Sequence, residues 1–91
     1  MYGFKVSEEL QKKLEKLSRK DKKLHKQLLK KIEEIVNSNN IEHYKNLRYD
    51  MKDSKRVHIG HFVLVFQYDK RNNMINFDDF DYHNKIYKIK Q

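Results

Sequence analysis

The spacing of apolar positions changes along the chain and predicts two kinds of element. Tyr2, Phe4 and Val6 alternate with Gly3 and Lys5, which predicts a short strand with one buried face. The spacing then lengthens to three and four residues in two stretches, as in amphipathic helices that bury one stripe. The stripe positions are Leu10, Leu14 and Leu17 in the first stretch and Leu24, Leu28, Ile32, Ile35 and Val36 in the second.

Polar residues mark the ends of the two predicted helices. Ser7 offers an N-cap to a first helix of roughly residues 8–19, and Ser18 or Asp21 offers one to the second. The Asn-Ser-Asn-Asn run at 37–40 ends the second helix, because these side chains compete for backbone hydrogen bonds. The two stripes therefore indicate a helical hairpin that packs on a sheet.

Alternation returns in the last third of the chain. Val57 and Ile59 face one way, and Arg56 and His58 face the other. Residues 62–66 are all apolar, which predicts a central strand buried on both faces.

Turn signals separate the remaining strands. Gly60 and His61 make the turn into the central strand of 62–68, and the polar residues 69–73 make the next turn. The last strand, 74–81, changes its alternation near Asp78 and Asp79, which predicts a β-bulge.

The order of elements predicts one α+β domain spanning residues 1–91. Two N-terminal helices would pack on one face of a small antiparallel sheet, in the order βααβββ. The opposite face would carry Arg56 and His58, and a short C-terminal helix would close the chain.

Composition narrows the functional classes. The chain has 21 Lys and Arg against 13 Asp and Glu, a formal charge of +8, which favours an anionic partner such as nucleic acid. It has no cysteine, no long apolar run and no signal peptide, so we expect a cytoplasmic protein without a membrane partner. The short chain leaves no room for a separate cofactor domain, and we expect no cofactor.

The motif that begins at Arg56 resembles the RelE/ParE toxin superfamily. It runs Arg56-x-x-x-Gly60-x-Phe62-x-Leu64-Val65-Phe66 and is followed by Asp81-Tyr82-His83-Asn84-Lys85-Ile86-Tyr87. The chain looks most like the archaeal RelE-like mRNA interferases, and the likeness covers nearly its whole length. The resemblance implies a microbial-RNase-like sheet and a ribosome-dependent endoribonuclease that cuts mRNA. It also implies an acidic, RelB-like antitoxin as partner.

The resemblance also implies site residues. Arg56 matches the arginine that stabilises the scissile phosphate, His83 falls where members carry the general acid, and Tyr87 matches the terminal tyrosine that orients the substrate. A basic segment precedes the signature arginine, and its members are expected to contact RNA, with the one acting as base left open. These members are Lys45, Arg48, Lys52 and Lys55.

Two positions depart from the family pattern. Val63 stands where a second arginine is frequent, and Asp81 stands where a glycine is frequent. The first removes one phosphate-binding cation from the expected site.

Other interpretations remain open for the same residues. His83 and Tyr87, four apart, also fit simple packing on a terminal helix, and Arg56 also fits an ion pair with Asp78 or Asp79. His58 and His61 are expected to be surface residues. Asp78, Asp79 and Asp81 alternate faces along a strand, so we expect no metal site.

Two further functions compete with the nuclease. One is a RelE/ParE-fold interaction protein that does not cut RNA, either an inactive toxin bound to its antitoxin or a poison of DNA gyrase in the manner of ParE. The other is an RNA-binding module with basic helices, which needs exposed aromatic platforms. Tyr82 and Tyr49 are the candidates for such platforms.

Overall fold

The structure, a computed structural model, describes residues 2–46 and 54–89 and has the element order βααβββα. A short 3₁₀ turn at Ile41–His43 follows the second helix. The strands and helices are β1 (Gly3–Val6), α1 (Glu8–Lys20), α2 (Lys22–Val36), β2 (Ser54–Ile59), β3 (Phe62–Asp69), β4 (Met74–Tyr82) and α3 (His83–Ile89).

The helix caps follow from the sequence. Ser7 Oγ accepts a hydrogen bond from the backbone N–H of Leu10 at 3.1 Å and caps α1. Asp21, rather than Ser18, caps α2, because its carboxylate accepts from the N–H of Leu24 at 3.1 Å. The hydroxyl of Ser18 instead donates to a carbonyl within α1.

The sheet has the strand order β1-β4-β3-β2. β2, β3 and β4 form the predicted antiparallel meander, joined at Gly60 (φ 61°) and at Asn73 (φ 52°). β1, however, pairs with β4 in parallel, so the sheet is mixed and the expectation of a wholly antiparallel sheet was wrong for this strand. The two helices form a long connection between β1 and the meander, and such a connection permits parallel pairing.

The predicted β-bulge lies in β4. Val65 pairs with Asp79 while the next residue, Phe66, pairs with Phe77, so Asp78 is the extra residue. The bulge keeps Phe77 and Phe80 in the core although they are three residues apart.

The two faces of the sheet have different cores. The stripes of α1 and α2 pack on one face, where Leu64, Phe66 and Phe77 are fully buried. On the other face Val63 and Val65 pack against Ile86 of α3. None of the described helices is long and apolar enough to cross a membrane.

Candidate active site

The site begins on β2, where alternation places Arg56 and His58 on the face away from α1 and α2. The Nη1 of Arg56 lies 3.2 Å from the Nε2 of His58. The Nε of Arg56 is buried and has no hydrogen-bond partner in the described part of the chain. A guanidinium carries five N–H donors, so Arg56 can donate to a phosphate in addition to His58.

The helix α3 brings two further side chains to β2. The rings of His58 and His83 stack with centroids 5.6 Å apart and planes 21° apart. The ring of Tyr87 lies 4.5 Å from that of His83 on the same helix. Ile86 precedes Tyr87 on α3 and is 1% exposed. It packs against the sheet and thereby holds α3 in place.

We call Arg56, His58, His83 and Tyr87 the Arg-His-Tyr cluster. Partial burial lowers the pKa of the His58 imidazole below its usual value, and the positive charges of Arg56, His83 and Lys45 act in the same direction. The lowered pKa favours the neutral imidazole, the form that can accept a proton.

A depression with a volume of about 350 Å³ lies beside the cluster. Its lining residues are His58, Gly60, His61, Tyr82, His83 and Asn84. The carbonyl of His61 accepts a hydrogen bond from the N–H of His83 at 3.0 Å, which ties the β2–β3 turn to the start of α3.

The basic segment divides between two environments. Lys45 is exposed and lines a surface groove with Arg56 and His58, and its carbonyl accepts from the N–H of Arg56 at 2.9 Å. Lys55 is only 7% exposed, and its ammonium donates to the Tyr44 carbonyl at 3.2 Å and to Asn46 Oδ1 at 3.3 Å.

The placement of Lys55 does not favour the RNA-binding role expected from the sequence. Strand alternation places Lys55 on the face opposite Arg56. The segment that carries Tyr44 and Asn46 covers it there. The other two members of the basic segment, Arg48 and Lys52, lie outside the described residues.

Asp79 was one of two possible ion-pair partners of Arg56, but it bonds elsewhere. Its carboxylate lies 2.6 Å from the Nζ of Lys13 on α1, and that of Asp81 lies 3.0 Å from the same atom. These acids therefore join α1 to β4, and Arg56 has His58 as its neighbour instead.

His58 is exposed, as expected from the sequence, but it also contacts Arg56 and His83, which the sequence did not predict. Its alternation with Arg56 was visible in the sequence, but contact with His83 depends on how α3 packs. The arrangement combines a cation, two titratable imidazoles and a phenol within one contiguous group of side chains. These are the groups that phosphodiester cleavage needs.

Comparisons with known proteins agree with this architecture. Residues 4–87 match the family described as the ParE toxin of type II toxin-antitoxin systems, parDE. The chain belongs to this family of toxins.

A sequence relative of this chain is named as a RelE-type protein. It is 51% identical over 92 residues to RelE4 of Methanocaldococcus jannaschii, whose name describes it as a candidate toxin; the match covers 100% of this chain and 96% of the relative. The chain is thus a RelE-like toxin of a toxin-antitoxin system.

Solved structures share the fold at low identity. The isolated Escherichia coli RelE toxin has a TM-score of 0.72 at 21% identity, with 99% of this chain and 97% of that chain covered. The E. coli RelBE toxin-antitoxin complex has a TM-score of 0.70 at 23% identity, with 90% and 96% covered. These matches show that the chain shares the RelE-like α+β fold.

Proposed function

We propose that this toxin is a ribosome-dependent endoribonuclease that cleaves mRNA and thereby inhibits translation. The observation that carries the proposal is the Arg-His-Tyr cluster, in which β2 and α3 bring four groups of complementary chemistry together on the face away from α1 and α2. Membership in a toxin family gives the cluster a biological setting.

The first chemical step uses Arg56 and His58. A guanidinium has only donors, so the Nε2 of His58 accepts the hydrogen bond from Arg56, and the imidazole carries its proton on Nδ1. When a scissile phosphate draws the guanidinium toward its oxygens, the lone pair of Nε2 becomes free. His58 then takes the proton of the 2′-hydroxyl as general base, and Arg56 stabilises the phosphorane charge.

His83 completes the reaction as general acid. The 2′-oxygen forms a bond to phosphorus, the bond from phosphorus to the 5′-oxygen breaks, and protonated His83 gives its proton to that oxygen. The stacked geometry suits this division, because His83 is one of the neighbours that lower the pKa of His58, the group that acts as base.

Tyr87 and Lys45 support the substrate. Tyr87 packs beside His83 and is half-buried, so its ring fixes the imidazole and offers one edge to a nucleotide. Lys45 is exposed next to Arg56 and provides a second cation for phosphate.

The ribosome supplies orientation of the mRNA in this proposal. Holding a reactant in position replaces part of the barrier of a bimolecular encounter, which a small open site cannot do alone. The net charge of +8 favours association with ribosomal RNA. Arg48 and Lys52 remain proposed RNA contacts from the basic segment.

An acidic, RelB-like antitoxin is the proposed protein partner in the cytoplasm. Two of the structures that share the fold, both from E. coli, are RelE with RelB or with a RelB peptide. A partner of opposite charge that covers the Arg-His-Tyr cluster would block RNA access.

Primer extension on an mRNA bound to purified ribosomes tests the nuclease. We expect cuts that need ribosomes, and a loss of about 10²- to 10⁴-fold in rate for His58→Ala or His83→Ala. His25→Ala on α2 is the matched control and should cut like wild type. Equal cutting by all three variants would remove the catalytic assignment.

The matching family is named for the ParE toxin, and this gives a second candidate function. In that case the toxin would poison DNA gyrase without cutting RNA. A gyrase supercoiling assay on the same preparation separates the two, because the nuclease proposal expects unchanged supercoiling. Gyrase inhibition together with intact mRNA would favour the second candidate.

A further inference from the structure

Three aromatic rings form a stack at the end of the sheet where β4 meets α3. Tyr82 and Phe62 are direct partners on β4 and β3, and their rings stack with centroids 4.4 Å apart and planes 26° apart. Phe80 continues the stack, since its ring centroid lies 5.0 Å from that of Phe62 and the ring planes are 11° apart. The outer ring, Tyr82, is 53% exposed and is held on a rigid, partly buried support.

Lysines surround this stack in a groove of about 330 Å³ between α1, β4 and α3. Lys13 is bonded to Asp79 and Asp81, so its charge is already engaged. The other lysines of the groove are exposed; they are Lys16, Lys20 and Lys85.

The groove has fewer acids than lysines. Two carboxylates, those of Asp21 and Asp81, line it beside four lysines; Asp21 caps α2, and Asp81 accepts a hydrogen bond from Lys13. Burial raises the pKa of Asp81, but the hydrogen bonds from Lys13 and the Tyr82 N–H, with the charges of Lys13 and Lys85, outweigh it and lower this pKa. The groove therefore presents three cations around an exposed aromatic face.

The groove shares a residue with the depression beside the Arg-His-Tyr cluster. Tyr82 lines both the groove and the depression that is also lined by His58 and His83. A single strand passing over Tyr82 thus reaches both surfaces.

A second exposed aromatic shows what is particular to Tyr82. Phe4 is similarly exposed, at 50%, but it meets Phe77 edge-on, with planes 75° apart. The groove beside Phe4 is apolar, its one charged lining residue is Glu33, and lysine is absent from the described residues that line it.

We propose that Tyr82 is a stacking platform for one base of single-stranded RNA, with the neighbouring phosphates lying along Lys16, Lys20 and Lys85. Base stacking on an aromatic ring tolerates any sequence, and the lysines follow the backbone. The platform would extend the RNA path beyond the proposed cleavage site. The choice of RNA as ligand rests on the proposed function.

Binding of a fluorescent single-stranded RNA carrying 2′-O-methyl groups, which cannot be cleaved through the 2′-oxygen, tests the platform by anisotropy. Tyr82→Ala should weaken binding by about 5- to 150-fold, the range expected for one stacked base. Tyr82→Phe should bind like wild type, because the ring is kept. Phe4→Ala is the exposure-matched control and should also bind like wild type.

The lysines have their own variant and control. Replacing Lys16, Lys20 and Lys85 together by Gln should weaken binding and reduce its dependence on salt, whereas Lys30→Gln should do neither. Photocrosslinking with a 5-iodouridine RNA should attach the base to Tyr82.

Two results would overturn the platform. One is equal affinity of wild type and Tyr82→Ala, with Tyr82→Ala shown to be folded by circular dichroism. The other is equal weakening by Phe4→Ala. Failure of the platform is distinct from failure of the nuclease: cuts on ribosomes by a protein with no Tyr82-dependent RNA binding would keep the nuclease alone. Tyr82-dependent binding without cuts would keep the platform alone.

Discussion

His58 of β2 and His83 of α3 stack with ring centroids 5.6 Å apart, although different elements carry them. The contact exists because Ile86 packs on Val63 and Val65 and thereby fixes α3 across the sheet. The contact contributes to the lowered pKa of His58, for which burial is the largest cause and His83 is one of the positive neighbours. This relationship links the packing of a small hydrophobic cluster to the chemistry proposed for the toxin.

The pKa of His58 should depend on Arg56. Burial, Arg56, His83 and Lys45 lower this pKa, so the imidazole should titrate below its ordinary value of 6.5. In Arg56→Leu the midpoint should rise, because one positive neighbour is removed. An NMR titration of the His58 ring checks this, with Lys30→Gln on α2 as the control. A midpoint that is the same in Arg56→Leu and wild type would show that the two side chains are not coupled.

Arginine at position 63 should not restore a stronger nuclease. Val63 is fully buried beneath α3, so Val63→Arg would place an unpaired charge in the small core that positions His83. We expect a loss of about 3 kcal/mol or more in the free energy of unfolding, with less cleavage. Gln67→Arg, at an exposed position of the same strand, is the control. A folded Val63→Arg variant that cuts faster than wild type would contradict this expectation.

Lys13 should stabilise the protein through its contacts with Asp79 and Asp81. Asp79 is only 7% exposed, so Lys13→Met would leave a buried carboxylate without its cation. The expected cost is about 1–3 kcal/mol in the free energy of unfolding, measured by urea denaturation at pH 7. Lys12→Met, at an exposed position on α1, should have little effect.

The cost of Lys13→Met should depend on pH in a defined direction. The folded pKa of Asp81 lies below its usual 3.8, so its contribution is present above that value and is lost as pH falls through the folded pKa. The pKa of Lys13 is raised above 10.5, because its bonds to the two acids outweigh burial, so its contribution is lost as pH rises through the folded pKa. The difference between wild type and variant should therefore be widest between these limits. A difference that grows in acid would contradict the ion-pair explanation.

Substitutions at Lys45 and Lys55 should have different effects: the first on mRNA cleavage and the second on the free energy of unfolding. Lys55→Met should lower the free energy of unfolding by about 1–2 kcal/mol, because the Tyr44 carbonyl and the Asn46 amide each lose a buried donor. Lys45→Ala should change stability by less than about 0.5 kcal/mol and should slow mRNA cleavage. Thermal denaturation and primer extension on the same two variants check both expectations. The reverse pattern would show that Lys55 is the RNA-contacting lysine.

The sequence predicted most of the local structure because local rules govern it. Ser7 caps α1, Gly60 and Asn73 make turns with positive φ, and the change of alternation near Asp78 marks the bulge. Each of these features depends on a few neighbouring residues, so short windows of sequence contain the information. Arg56 and His58 shared a face for the same reason.

Contacts between residues far apart in the sequence could not be predicted in this way. The parallel pairing of β1 with β4 depends on where the helical hairpin returns the chain, and periodicity says nothing about that. The burial of Lys55 likewise depends on the segment that folds over it.

The elements, their order, the charge and the residues resembling those of RelE-like toxins can be read from the sequence. The contact of His83 with His58, the burial of Lys55 and the exposure of Tyr82 on a stack of rings arise from the way the elements pack together. Periodicity fixes which face a side chain takes within its own element. Contacts between elements are fixed by the packing of distant apolar side chains, here Ile86 on Val63 and Val65.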